Sequence, residues 1–215
     1  MEQPASSRTY GQYCGIARAL DLVGERWALL VIRELVLGPK RFTDLRHGLP
    51  GVATNILTQR LKQLERDGVV QRRVLPPPAA STVYELTGYG LELEPVLLAF
   101  GRWGAKRLGE YTPAEEIQGG WFCVALKAYF RPEAAKTVRA TIDLGLDGER
   151  YALKIDRGAL DIVAGAPAAA DLSLTTEPLT LFAYLGGAPV PVSALAPTGD
   201  DELLGRLREI FAFGG

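Results

Sequence analysis

The feature that most restricts this chain is a change of hydrophobic period partway along it. Up to about residue 108, apolar side chains recur at three- and four-residue intervals; from residue 137 they alternate one by one. A period near 3.6 buries one stripe of a helix, and a period of two buries one face of a strand. The two halves therefore build different architectures. Between them lies the polar stretch 112–120 (TPAEEIQGG), whose proline and paired glycines are the composition of a linker. The 215 residues are enough for two domains, and the expected division is 1–111, a linker at 112–120, and 121–215.

Charge divides at the same place. The formal net charge is −1, but residues 1–111 hold 15 Lys and Arg against 11 Asp and Glu, and the remainder holds 9 against 14. The halves are thus +4 and −5, an asymmetry that points to two units with different partners. Within 38–75, eight basic residues face three acidic ones. Other classes drop out quickly. An apolar content of 47% argues against intrinsic disorder, and two cysteines are too few for a disulfide scaffold. No apolar run is long enough for a transmembrane helix, and the start MEQPASSRTYGQYCG has no apolar signal region. The expectation is a soluble protein of the reducing cytoplasm.

In the first half, Ile16, Ala19, Leu20 and Val23 predict a helix over 14–23, stopped by Gly24. Trp27, Leu30, Val31, Glu34 and Leu35 predict a second over 27–37, stopped by Gly38 and Pro39. A short helix over 42–46 and a turn at Leu49, Pro50 and Gly51 lead to a fourth helix over 53–67, closed by Gly68. Residues 69–75 and 82–86 read as two strands joined by a stiff loop at 76–80. Thr87 reads as the N-cap of one long helix reaching Leu108, with Leu91, Leu98 and Trp103 on its apolar face. Helices, a two-stranded ribbon and a closing helix make a winged helix-turn-helix.

The fourth helix is the informative one. Leu57, Leu61 and Leu64 cluster on one side; Asn55, Thr58, Gln59, Lys62 and Arg66 occupy the other, with Thr54 in the first turn. Amides pair bidentately with adenine, and lysine reaches guanine or phosphate in a major groove. Arg41, Arg60, Arg72 and Arg73 are candidates for phosphate, although Arg60 has acidic neighbours to which it can be tied. A polar helix face is commonly just solvated; the preceding turn, the following ribbon and the local basic excess weigh toward DNA.

The segments CGIARALDLVGERW, LLVIREL, GPKRFTDL, LPGVATNILTQRLKQLERDGVV and VYELTGYG occur in an order and spacing that closely resemble the HxlR family of transcription regulators, a MarR-like winged-helix branch. The resemblance covers roughly 13–108. It implies a homodimer on an inverted-repeat operator, the fourth helix as recognition helix, 69–86 as the wing, and dimer contacts from the terminal helices, including 91–108. Dimers of this kind place two recognition helices about one DNA turn apart. Cys14 stands where the family commonly has a cysteine, which in some members senses oxidants or electrophiles. Family members often follow it with proline; here Gly15 follows. A helix N-terminus favours a thiolate, while a free cysteine at an apolar boundary is commonly a small buried hydrophobe.

In the second half, 121–130 (WFCVALKAYF) is apolar on too many sides for a solvated helix and reads as a short, largely buried one containing Cys123, with a strand as the alternative. Alternation then predicts strands over 138–146, 151–156, 160–164 and 172–176, with turns at Asp147 and Gly148 and at Arg157 and Gly158. Glu177 and Pro178 open a helix to Leu185 with Leu181, Phe182 and Leu185 inward, and a terminal helix spans 200–213. The expected class is α+β, an antiparallel meander covered by helices. The order of hairpin, strand, Thr-Thr-x-Pro-Leu helix start and Gly-Gly stop over 135–212 resembles the sterol-carrier-protein-2-like fold. That resemblance implies an apolar tunnel for a lipid or small apolar molecule. Its candidate lining is Trp121, Phe122, Leu126 and Phe130 from the first helix, Leu160, Ile162 and Leu174 from the strands, and Leu181, Phe182, Leu204 and Phe211 from the later helices. A filled core is the plainer alternative.

These readings converge on a ligand-responsive, homodimeric DNA-binding repressor. One rival is a redox sensor acting through Cys14 with a structural second domain. The other is a lipid carrier with a vestigial winged helix. An enzyme has no support: His47 is the only histidine, two distant cysteines make no metal site, and no phosphate-binding glycine loop is present. No cofactor is expected, and no membrane partner.

Overall fold

The computed structural model describes residues 9–77 and 80–213, and its contacts divide the chain into two units that meet between Glu94 and Pro95. Residues 78 and 79 of the expected 76–80 loop lie outside the described residues.

In the first unit, the helical period produces α1 (Gly15–Val23), α2 (Ala28–Leu35), α3 (Phe42–His47) and α4 (Thr54–Arg66). Val31, Ile32 and Leu35 of α2, Leu45 of α3, and Leu57, Leu61 and Leu64 of α4 form one buried core. The end of α4 is set by Gly68, at φ 74. There the Val69 N–H donates to the Leu64 carbonyl at 2.9 Å and the Gly68 N–H to Glu65 at 3.1 Å. This paired closure satisfies the last carbonyls of α4 and turns the chain directly into the wing. The wing is β1 (Val70–Val74) paired antiparallel with β2 (Thr82–Leu86), Val70 opposite Leu86 and Val74 opposite Thr82. Lys40 and Tyr84 exchange backbone hydrogen bonds of 2.9 and 2.8 Å, fastening the wing to the turn before α3.

Thr87 caps the next helix as expected, its hydroxyl accepting from the Gly90 N–H at 3.0 Å. The single long helix does not form. It is broken into α5 (Gly88–Leu91) and α6 (Glu94–Ala105). Pro95 is the cause, since proline has no N–H for the carbonyl four residues back and its ring collides with that carbonyl. It is tolerated in the first turn of α6, where the N–H has no helical partner in any case.

The second unit contains α7 (Gly119–Tyr129), β3 (Arg139–Leu146), β4 (Glu149–Asp156), β5 (Ala159–Ala164), β6 (Leu172–Thr176), α8 (Pro178–Leu185), a 3₁₀ turn at Val192–Leu195, β7 (Thr198–Gly199) and α9 (Asp201–Ile210). Both hairpin turns have two left-handed residues: Asp147 at φ 52 with Gly148 at φ 80, and Arg157 at φ 49 with Gly158 at φ 90. This is the turn whose twist matches that of the strands. The sheet is not the expected antiparallel meander. Its order is β5-β4-β3-β6-β7, and β6 lies parallel to β3, Ile142 opposite Leu172 and Leu144 opposite Leu174. The β4–β5 hairpin serves as the crossover that a parallel pair requires. Asp171 locks the entry of β6: its N–H donates to the Thr141 carbonyl at 2.8 Å, and its carboxylate accepts from the Thr141 N–H at 2.7 Å.

On one face of this sheet Ile142, Leu144, Leu153 and Leu174 come together with Leu126 of α7, Leu181 and Leu185 of α8, and Leu207 of α9; Ile162, Leu172, Leu203 and Leu204 are also buried. The space remaining at the centre of that cluster is about 10 Å³, no more than the room one water needs. The tunnel implied by the resemblance is therefore filled there by leucine and isoleucine side chains.

Candidate nucleic-acid interface

Taking Leu57 as the origin and about 100° per residue, Asn55, Gln59, Lys62 and Arg66 fall in a strip about 60° wide on the far side of α4. All four are exposed, while Leu57, Leu61 and Leu64 are at most 1% exposed. From Asn55 to Arg66 the strip runs about 16 Å along the axis. It therefore presents two amides and two cations on a rigid rod whose back is anchored in the core. Thr54 is exposed at the start of the rod. Thr58, half-buried, donates its hydroxyl to the Thr54 carbonyl at 2.8 Å, which leaves its oxygen as an acceptor only.

Of the two roles expected for Arg60, phosphate contact or a tie to an acid, the structure shows the tie. Arg60 is 7% exposed, its guanidinium lies 3.4 Å from the Glu25 carboxylate, and it donates to the Gln63 side chain. Position 60 falls only about 60° from Leu57 on the wheel, at the margin of the leucine stripe rather than opposite it. Its Nε is buried without a hydrogen-bond partner among the described residues. Arg60 secures α4 to the segment before α2 and has little of its side chain exposed.

The other basic residues flank the strip with their charges partly answered. Arg72 donates to Glu65 at 2.8 Å. Arg73 grips both oxygens of Glu85 at 3.0 Å, and Gln71 donates to the same carboxylate at 2.9 Å. The Arg73 and Gln71 hydrogen bonds hold the Glu85 carboxyl below its ordinary range, and the glutamates raise the two arginines. Arg41, at the N-cap of α3, places its Nε 3.1 Å from the Ser81 hydroxyl at the far end of the wing. Lys40 belongs to the basic excess in sequence but is half-buried, its charge taken up by a carboxylate. With Arg33 it closes on Glu34, which is 3% exposed, at 2.7 and 2.8 Å, and Arg33 also reaches the Gly48 carbonyl. The roles of Glu34, Glu65 and Glu85 were missed in the sequence, because each partner is supplied by the fold.

Cys14 stands exposed at the N-cap of α1, contrary to the buried-hydrophobe reading, and backbone N–H groups of Ala17 and Ile16 lower its thiol. Cys123 is core, as expected, and burial pushes its thiol up. His47 is exposed in the last turn of α3. Among the described residues there is no metal-ligating cluster, and no helix is long and apolar enough to cross a membrane.

The candidate ligand residues divide. Leu126, Leu174, Leu181 and Phe211 meet at the small central space, joined there by residues outside the candidate lining, such as Leu207. Phe122, Ile162 and Leu204 are core, and Trp121, Phe130 and Leu160 are half-buried. Phe182 is 46% exposed and not inward, because it sits one position round α8 from the buried Leu181.

Residues 22–112 match the HxlR-like helix-turn-helix family. An uncharacterized HTH-type transcriptional regulator of Synechocystis sp., sll1512, is 41% identical over 95 residues, which are 44% of this chain and 70% of the relative. The HTH-type transcriptional regulator YodB of Bacillus subtilis is 38% identical over 85 residues, 40% of this chain and 76% of its own length. Among solved structures, the redox regulator HypR in its reduced form aligns over 45% of this chain and 95% of its own at 31% identity, with a TM-score of 0.41. With its exposed strip on α4 and its wing, the chain belongs to the HxlR family of DNA-binding helix-turn-helix transcriptional regulators.

Proposed function

We infer that the protein is a homodimeric, ligand-responsive repressor of the cytoplasm and not an enzyme. In this reading, residues 1–111 bind DNA and dimerise, 112–120 link, and 121–215 form a sterol-carrier-protein-2-like unit that takes an apolar effector. The observation that carries it is the strip on α4. Asn55, Gln59 and Lys62 read base edges of an inverted-repeat operator, with Thr54 and Thr58 at the margin, while Arg41, Arg72 and Arg73 hold phosphates. An effector shifts operator occupancy only through different affinities for two dimer states. The test is a gel shift on the DNA upstream of the protein's own gene across a salt series. Tight binding that weakens steeply with salt is expected, and Asn55→Ala and Gln59→Ala should each lose about 5- to 100-fold on the operator alone. Absence of binding at low salt overturns the reading.

A second reading is favoured by the exposed, lowered thiol of Cys14. There the signal is oxidation or alkylation of that sulfur, and the C-terminal unit is structural. Cys14→Ser would abolish any response to an electrophile while keeping operator binding; an unchanged response excludes it.

A further inference from the structure

Past α9 the chain turns back along α7. The Arg131 N–H donates to the Ile210 carbonyl at 2.8 Å and the Ala212 N–H to the Tyr129 carbonyl at 3.1 Å. Phe211, 2% exposed, anchors this segment against Phe130, their rings 5.8 Å apart. Phe213, two residues further on, behaves differently. Its ring enters a slot between Phe122 and Tyr129, which stand seven residues apart on α7, about 10 Å along the axis. It stacks on Phe122 at 5.6 Å and 9°, tilts against Tyr129 at 4.7 Å and 32°, and meets Phe182 of α8 edge-on at 5.4 Å and 80°. Stacked and edge-on contacts are the arrangements that aromatic quadrupoles favour beyond the area they bury.

We propose that this slot is a binding site for a neutral, benzene-sized aromatic molecule, and that Phe213 is its built-in occupant, displaced when the ligand enters. Four features carry the proposal. The seated ring shows the size and chemistry the walls accept. The walls do not depend on it, since Leu126, Leu181 and Leu185 fix α7 and α8 in the core independently. The slot opens to solvent beside Phe182, which is 46% exposed, so a ligand enters without unfolding the unit. The space among Leu126, Leu174, Leu181 and Leu207 at the centre of the core is about 10 Å³, too small for a ring, whereas the slot already holds one. Phe213 leaves by rotation about its own torsions, with the Phe211 anchor and the Ala212 hydrogen bond kept. The proposal rests on the reading that the C-terminal unit takes an apolar effector, and gives that effector a class and a place.

The test uses the full chain with 4-fluorobenzyl alcohol as probe, followed by ¹⁹F NMR, and cyclohexylmethanol as a non-aromatic competitor of similar size. A ring that occupies its own slot nine-tenths of the time weakens apparent affinity about tenfold. Phe213→Ala is therefore expected to bind the probe about tenfold tighter than the parent chain. Phe182→Ala, a change at an exposed position, is expected to bind it several-fold more weakly at unchanged melting temperature. In the parent chain, contacts between the Phe213 and Phe122 rings should be lost at saturation, and cyclohexylmethanol should compete poorly. Equal probe affinity in the parent and Phe213→Ala chains, no saturable binding in either, or equal competition by cyclohexylmethanol each overturn the proposal. Operator binding measured in the same titration separates the two readings. Slot binding that leaves operator affinity unchanged removes the effector role but not the site.

Discussion

At the scale of single residues, carboxylates inside the DNA-binding unit decide what its cations can do. Glu34 is held between Arg33 and Lys40, and this buried pairing ties α2 to the turns on either side of α3. Replacing Glu34 with glutamine removes the charge but leaves two cations and an amide N–H group facing each other. A broken buried pair of this type costs about 3–5 kcal/mol, so Glu34→Gln should lower the unfolding free energy by about that much in a denaturant titration. A loss under about 1 kcal/mol would mean that the pair relaxes into water. Glu85 acts on the surface. It occupies Arg73 in the free protein, so a phosphate must compete with it. Glu85→Gln should raise affinity for non-specific duplex DNA a few-fold and steepen the salt dependence by about one counterion. Specific binding should change less, so the specificity ratio falls. An unchanged salt slope would show that Arg73 stays away from DNA. The leucine stripe and polar strip of α4 were legible in the sequence because both depend only on helical angle. The carboxylate partners were not, because Arg73 and Glu85 come from different strands and Lys40 and Glu34 from opposite sides of a turn.

At the scale of elements, what chain-local chemistry determines was legible, and what long-range pairing determines was not. Thr87, Gly68 and the two left-handed turns stand where their chemistry placed them, because a cap or tight turn is settled within four or five residues. The parallel pairing of β6 with β3 had no local signal: β6 alternates like any half-buried strand, and its neighbour is chosen by which edge is free. The break before α6 was readable in Pro95, but the apolar residues on both sides gave one continuous helical pattern that masked it. The Asp147 turn also carries a strain that composition does not reveal. Partial desolvation of this exposed residue at the turn, with Glu177 as the next cause, raises the Asp147 carboxyl above its ordinary value. A carboxyl raised in the folded state stabilises the fold in its neutral form, and this contribution is lost as pH rises through the raised value. An asparagine at this position is neutral throughout and adopts left-handed φ readily. Asp147→Asn is therefore expected to raise the melting temperature by about 1 °C at neutral pH, a gain that disappears as the medium is acidified through that range. A gain that persists in acid would assign the effect to the backbone alone.

At the scale of the whole molecule, the near-neutral net charge is a cancellation between a basic reader and an acidic second half, and solubility is not what the sum reports. The exposed apolar surface carries a second signal. Along α6, Val96, Phe100 and Trp103 repeat at four and three residues and are 59, 55 and 68% exposed, with the Phe100 and Trp103 rings stacked at 5.7 Å. A soluble chain rarely leaves such a stripe to water unless another protein surface covers it, and a second copy of the same helix is the economical cover under two-fold symmetry. Trp103→Glu puts a charge into that contact while disturbing little of the single chain. Light scattering should then find the mass of one chain, 23.2 kDa, where the parent gives twice that. Operator affinity should fall by more than about tenfold, because two half-sites are no longer gripped by one particle. Half-site affinity, which depends on α4 and the flanking arginines of one chain, should stay the same. A variant that remains dimeric, or one that becomes monomeric and keeps full operator affinity, would separate dimerisation from this stripe or from DNA binding respectively.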